Sequence, residues 1–184
     1  IPLCALRCGV NPLKMPGKFA KMSIMAITTT SSAICLPTKM EDSVTKFGVS
    51  RRVSDFIGPL AASMNSNGAA LCNVAVIMFL SQTAGIELSL PQLLLGVALA
   101  CMLCMGTITV PGGMAVSATF LATSLGLPVE SIALILGVDW FAGMFRTLLN
   151  VDGDVIVAML VANAEGEFDR DVYNGTKEIN YSEV

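Results

Sequence analysis

The sequence predicts an all-α integral membrane protein: two re-entrant helical hairpins and two broken transmembrane helices arranged as an inverted repeat. Three observations carry this expectation. First, the 184 residues are 54% hydrophobic and 14% charged and include no histidine; mean hydropathy is +0.71, far from the balance of an average soluble domain. Second, charge is unevenly placed. Between Asp55 and Asp139 the only charged residues are Glu87 and Glu130, leaving uncharged runs long enough to cross a hydrocarbon core of about 30 Å. Third, apolar segments interrupted by small polar residues recur in the same order in both halves.

Residues 1–17 read as a cytoplasmic linker or the end of a preceding helix. The chain starts at Ile1 without a signal-peptide succession, as a piece of a longer protein would. Residues 18–52 form the first hairpin: two apolar arms, each too short to span alone, surround the tip TTTSSA and are closed by Pro37. Residues 53–86 are span-length but interrupted at SMNSNG, where serine, asparagine and glycine favour local side-chain bonding over helix. Residues 87–128 repeat the hairpin around GTITVPGG. Residues 129–163 repeat the interrupted span, with the break expected at NVDGD. Such pairs of interrupted segments mark a secondary transporter's binding site near the membrane midplane. Non-helical backbone survives there only if protein-buried or lining a watery cavity.

Eight of the eleven basic residues (Arg7, Lys14, Lys18, Lys21, Lys39, Lys46, Arg51 and Arg52) precede Val53. The positive-inside rule makes those flanks cytoplasmic, whereas Glu87 and Glu130 flank the second hairpin, so the two hairpins enter from opposite faces. Residues 164–184 are acidic and weakly patterned, which predicts a solvated, disordered cytoplasmic tail. The triplets at Asn174 and Asn180 are then not glycosylated.

The candidate binding residues come from Arg146, a cation inside an apolar stretch. An arginine at the centre of a bilayer helix costs about 2.5 to 3.5 kcal/mol on the mildest scale, so it faces a cavity, a partner or a substrate. At about 100° per residue, Asp139, Gly143, Arg146, Thr147, Asn150 and Asp154 fall within an arc of about 100°. A buried ion-pair network joining helices would explain the arginine but not the broken backbones beside it. A guanidinium fork matches a carboxylate with two parallel hydrogen bonds, with Asp139 orienting the fork. Asn150 can donate to a second carboxylate, and Asp154 with the carbonyls near Ser63 and Asn65 suits an alkali ion.

Other chemistries fit less well. Cys101 and Cys104 have C-x-x-C spacing but no second pair, no histidine and a wholly apolar setting. Asp152 and Asp154, two apart, point to different helix faces and make no acid dyad, so no enzyme is expected. No basic, aromatic-rich surface is present for nucleic acid.

The motifs TTTSSAICLP, MNSNGAAL, GTITVPGG and DWFAGMFRTLLNVDGD, in that order, resemble the sodium:dicarboxylate symporter family, also called the glutamate transporter family, over its C-terminal transport core. The resemblance implies substrate contacts at Ser31 and Ser32 of the first tip and at Val110 and Gly113 of the second. It implies substrate binding by Arg146, Thr147 and Asn150, and the shared helical face adds Asp139 as the residue that orients Arg146. It also implies sodium sites: Asn65, Asn150 and Asp154 in one, and Ser63 with carbonyls of Cys104, Met105 and Thr107 in another. Asn67 stands where the family has a carboxylate that helps hold a further sodium ion, implying fewer coupled sodium ions or proton coupling. Gly143 stands where amino acid carriers have the aspartate that receives the substrate ammonium.

The resemblance thus implies a multi-pass protein of the plasma or inner membrane that couples sodium, or protons, to uptake of a small anionic carboxylate. A C4-dicarboxylate is favoured, because removing one partner of a buried charge pair costs about 3 to 5 kcal/mol. An acidic or neutral amino acid symporter and a non-transporting membrane bundle are the alternatives. The family's scaffold helices, which form homotrimer contacts, are absent from these residues.

Overall fold

A computed structural model describes residues 1–106 and 113–182. Among these the chain is all-helical; an isolated bridge pairs Val49 with Phe168. A short helix α1 (Pro2–Cys8) and a 3-10 turn lead into α2 (Met15–Thr29). Thr30 turns the chain with a left-handed φ of 50°, costly for a β-branched residue. Ser31 then caps α3 (Ser32–Thr45), its Oγ accepting from the Ile34 amide at 3.4 Å. The two helices pack against each other as a hairpin. Pro37 does not close the arm: it lies inside α3, which continues for two further turns.

The first interrupted span is α4 (Arg51–Met64) and α5 (Asn67–Thr83), broken at Asn65 and Ser66 as the sequence predicts. Taken across the break, Arg51–Thr83 is 33 residues; among the described residues it is the one stretch long and apolar enough to cross a membrane by length and composition. Helices α6 (Leu90–Gly106) and α7 (Gly113–Leu125) follow and pack together against α5. Ser89 precedes α6, and its amide and Oγ both donate to Gln92 Oε1, at 3.0 and 2.7 Å.

The second span departs from expectation. A short α8 (Ile132–Leu136) is separated by Gly137 and Val138 from α9 (Asp139–Glu165), a 27-residue helix that runs unbroken through Asn150, Asp152, Gly153 and Asp154. The discontinuity therefore precedes Asp139. The polar side chains at 150, 152 and 154 are bonded to other helices and do not compete for their own backbone.

Two apolar cores result. One joins α1, α2, α4 and the C-terminal half of α9 around Met15, Phe19, Met22, Val151, Val155 and Met159. The other joins α5, α6, α7 and α8 around Ile77, Leu80, Leu121 and Ile132. The exterior is apolar as well: Leu13, Phe56, Met102, Val116 and Trp140 are largely exposed. Hydroxyls on this exterior turn inward to their own backbone, Thr28 to the Ile24 carbonyl at 2.9 Å, Thr119 to Ala115 and Thr123 to Thr119 at 2.8 Å. Such back-bonding satisfies a hydroxyl where no water is at hand.

Residues 164–182 are ordered, which corrects the expected disordered tail over those residues. Gly166, at φ 74°, ends α9, and Asp169 caps α10 (Arg170–Asn174), accepting from the Asp171 amide at 2.9 Å. Tyr173 is fully buried and its Oη donates to the Asn11 carbonyl at 2.8 Å. Gly48 meets Asp169 so closely that any Cβ there would collide with the Asp169 carbonyl. Val172 and Tyr173 bury enough apolar surface to order an otherwise acidic stretch.

Candidate substrate and cation site

Helix α9 carries two polar clusters about two turns apart. In the first, Arg146 Nη1 lies 3.7 Å from Asp139 Oδ1, an ion pair too long for a hydrogen bond. Arg146 Nε and Asp139 Oδ1 are buried and have no hydrogen-bond partner among the described residues. A Cβ on the buried Gly143 would lie 3.7 Å from Arg146 Nη2, in ordinary van der Waals contact, so the guanidinium lies against this glycine and meets no side chain there. Thr147 is buried next to it.

The backbone of Arg146 is held from the other side. A Cβ at Gly68, in the first turn of α5, would collide with the Arg146 carbonyl and lie 2.9 Å from its Cα. Only glycine permits this approach. The Gly68 amide donates to Asn150 Oδ1 at 2.7 Å, satisfying one of the free amides at the start of α5. No hydrogen bond from the Asn150 amide nitrogen is made among the described residues.

The second cluster is centred on Asp154, which is buried. Lys39 Nζ, from α3 and also buried, donates to Asp154 Oδ2 at 2.6 Å and to the Gly58 carbonyl at 3.1 Å. Asn65, at the break between α4 and α5, donates its Nδ2 to Asp154 Oδ1 at 2.8 Å. Gly153 lets the amide groups of Asn65 and Asn67 approach, since a Cβ there would lie 3.2 and 3.1 Å from their Nδ2 atoms. Asp152 faces elsewhere, accepting from Ser23 Oγ of α2 at 3.1 and 3.0 Å.

The structure therefore brings Arg146 to Asp139, Asn150 to Gly68, and Asn65 to Asp154. No hydrogen bond joins Ser31, Ser32 or Gly113 to Arg146 among the described residues. Ser63 is exposed and its Oγ donates to the Leu60 carbonyl of its own helix at 2.8 Å. Cys104 is buried with its Sγ accepting from Asn73 Nδ2 at 3.5 Å, and Met105 is exposed. Val110 and Thr107 lie outside the described residues. A cleft of about 560 Å³ sits elsewhere, between Ser50 and Arg51 on one side and Glu167 and Asp169 on the other. It lacks the apolar surroundings and the underused cation that distinguish Arg146.

Residues 1–164 match the model of the sodium:dicarboxylate symporter family. The chain belongs to that family. Its similar relatives include excitatory amino acid transporter 4 of Mus musculus, 34% identical over 151 residues, which are 82% of this chain and 27% of the relative. Excitatory amino acid transporter 1 of Homo sapiens is 32% identical over 176 residues, 95% of this chain and 32% of the relative. The L-cystine uptake protein TcyP of Bacillus thuringiensis (strain Al Hakam) is 30% identical over 168 residues, 90% of this chain and 36% of the relative. The chain thus spans about a quarter to a third of the length of these curated relatives. The symporter family is one of membrane transporters, not of enzymes.

Sequence reasoning missed Lys39, which it counted with the cytoplasmic flank. The signal was available: Ser32, Cys35, Lys39 and Asp42 follow helical spacing and form the buried face of α3. The resemblance sets Asn65, Asn150 and Asp154 around an alkali ion. Here both Asp154 oxygens already accept hydrogen bonds from nitrogen donors, and Asn150 Oδ1 accepts from Gly68. With Lys39 bonded to Asp154, that donor set does not fit a sodium ion.

Proposed function

We propose that this chain is the transport core of a symporter that couples sodium entry to uptake of a small carboxylate, with a C4-dicarboxylate preferred over an acidic amino acid. One observation carries the reading: Arg146 keeps an unspent Nε donor beside an aspartate 3.7 Å away, and the neighbouring Gly143 brings no side chain to it. A substrate carboxylate supplies the acceptor that Asp139 does not, through two charge-assisted bonds. The Asn150 amide nitrogen and Thr147 receive the second carboxylate. The tips at Ser31 and Ser32 and at Val110 and Gly113 close over it. Gly143 offers no carboxylate to a substrate ammonium, which favours succinate-like anions.

Ser63 with carbonyls of Cys104, Met105 and Thr107 forms the sodium site, and protons are the alternative coupling ion. In this reading residues 18–52 and 87–128 are re-entrant hairpins entering from opposite faces. Residues 53–86 and 129–163 are the interrupted spans, and 1–17 and 164–184 face the cytoplasm of a plasma or inner membrane. The core works with a scaffold of the same polypeptide in a homotrimer; the relatives' greater length supports the scaffold.

A second reading, acidic amino acid symport, is favoured by Asp139 Oδ1, which is buried without a partner and positioned to take an ammonium in place of an aspartate at 143. Two relatives are named excitatory amino acid transporters. Uptake of labelled succinate, aspartate and glutamate into proteoliposomes by the full-length polypeptide, with and without a sodium gradient, separates the readings. Sodium-driven succinate uptake is expected, reduced by roughly 30-fold or more in Arg146→Met. Aspartate uptake that succinate does not compete would exclude the dicarboxylate preference. Absence of gradient-driven uptake of every carboxylate would exclude symport.

A further inference from the structure

We infer that Lys39 is a tethered cation that permanently takes the place of one coupling ion at Asp154, so this carrier couples to one alkali ion fewer than its cation-ligand pattern implies. The inference rests on the family resemblance of Asn65, Asn150 and Asp154 to a sodium site.

An alkali ion at Asp154 requires hard oxygen ligands with free lone pairs directed at one point. The atoms converging here are of the opposite kind. The Lys39 ammonium reaches Asp154 Oδ2 at 2.6 Å and spends a second proton on the Gly58 carbonyl at 3.1 Å. Asn65 turns its nitrogen, not its oxygen, to Asp154 Oδ1 at 2.8 Å. Both charges are removed from solvent, with 2% exposure for the lysine side chain and 1% for the aspartate. An ammonium donates where a sodium ion would accept, so each of these oxygens is satisfied without a metal.

The covalent tether decides the exchange. A diffusing cation must surrender its hydration shell and compete with a charge that cannot leave, held by the helix that follows the first tip. Lys39 also ties α3 to α4 through Gly58 and to α9 through Asp154. The hairpin arm and the two interrupted spans therefore share one fixed charge pair, and loading of this position does not vary with external sodium.

The test counts sodium ions bound to the full-length polypeptide in lipid nanodiscs, using radioactive sodium and sodium-dependent thermal stabilisation with potassium as control. In Lys39→Met the carboxylate regains its lone pairs. That variant is expected to bind one sodium ion more than the wild type, or to be stabilised at about tenfold lower sodium. Lys39→Met/Asp154→Asn removes both charges and is expected to return to the wild-type sodium count. A folded Lys39→Met with wild-type sodium binding would overturn the inference. So would a gain that persists in the double variant, or a double variant that loses sodium the wild type binds. If Lys39→Met folds in sodium but not in potassium, the inference stands; if it folds in neither, the double variant alone decides. These counts are independent of uptake, so a failed symport assay leaves them readable.

Discussion

The two polar clusters of α9 share one helix and one face yet stand in opposite states. Around Asp154 the charges are almost wholly buried and each carboxylate oxygen has a nitrogen donor. Around Arg146 the side chains are about one-fifth exposed, the ion pair is loose, and a donor and an acceptor are left unspent. A buried pair that is fully bonded is part of the architecture, since desolvation has been offset within the chain. A half-bonded pair keeps bonding capacity for a partner from outside the chain. Charge in an apolar helix therefore does not by itself point to a binding site; unused bonding capacity is what sets Arg146 apart from Lys39.

Stability measurements in detergent micelles test this contrast. Asp154→Ala strands the Lys39 ammonium and is expected to cost about 3 to 5 kcal/mol, whereas Asp139→Ala, beside a partly solvated Arg146, is expected to cost less than about 1 kcal/mol. Similar losses at the two aspartates would erase the distinction. Gly68→Ala drives a Cβ into the Arg146 carbonyl and is expected to cost about 1 to 3 kcal/mol as overpacking, read as a lower thermal midpoint with weakened carboxylate binding. The smallest effect sets the scale for a solvent-exposed pair. The Lys177 ammonium, 2.8 Å away, holds the Asp169 carboxyl below the usual aspartate range. Its folded pKa is depressed, so its contribution is present above the ordinary carboxylate value of about 4 and is lost as pH falls through the depressed value. Acid below about pH 4 should therefore loosen the C-terminal segment, seen as faster proteolysis there, before α9 itself responds.

Local chemistry made part of the molecule legible. Asn65 and Ser66 lie where asparagine, serine and glycine cluster, and the helix breaks there. Helical spacing put Asp139, Arg146, Asn150 and Asp154 on one face, and all four are wholly or largely buried. The same local chemistry failed at residues 150–154, because Asn150 and Asp154 spend their bonding capacity on Gly68, Asn65 and Lys39, residues 82 to 115 positions away. Long-range partners remove the competition that breaks a helix, and no local window contains them. Lys39 was obscured by its neighbours: grouped with seven basic residues it counted toward topology, while its position on the buried face of α3 went unread. In the last twenty residues acidic composition masked Val172 and Tyr173, whose burial orders α10.

The meeting of Gly68 with Arg146 has a mechanical consequence. Backbone there touches backbone, with no flexible side chain between to take up displacement, and the Asn150 bond lies one turn further along as a second fastening. Both attachments are made by Gly68, so they fix the separation between the start of α5 and the middle of α9 at that residue. Side chains added at Gly68 would push these two helices apart at the level of the guanidinium, so the spacing beside Arg146 is set by the absence of a Cβ.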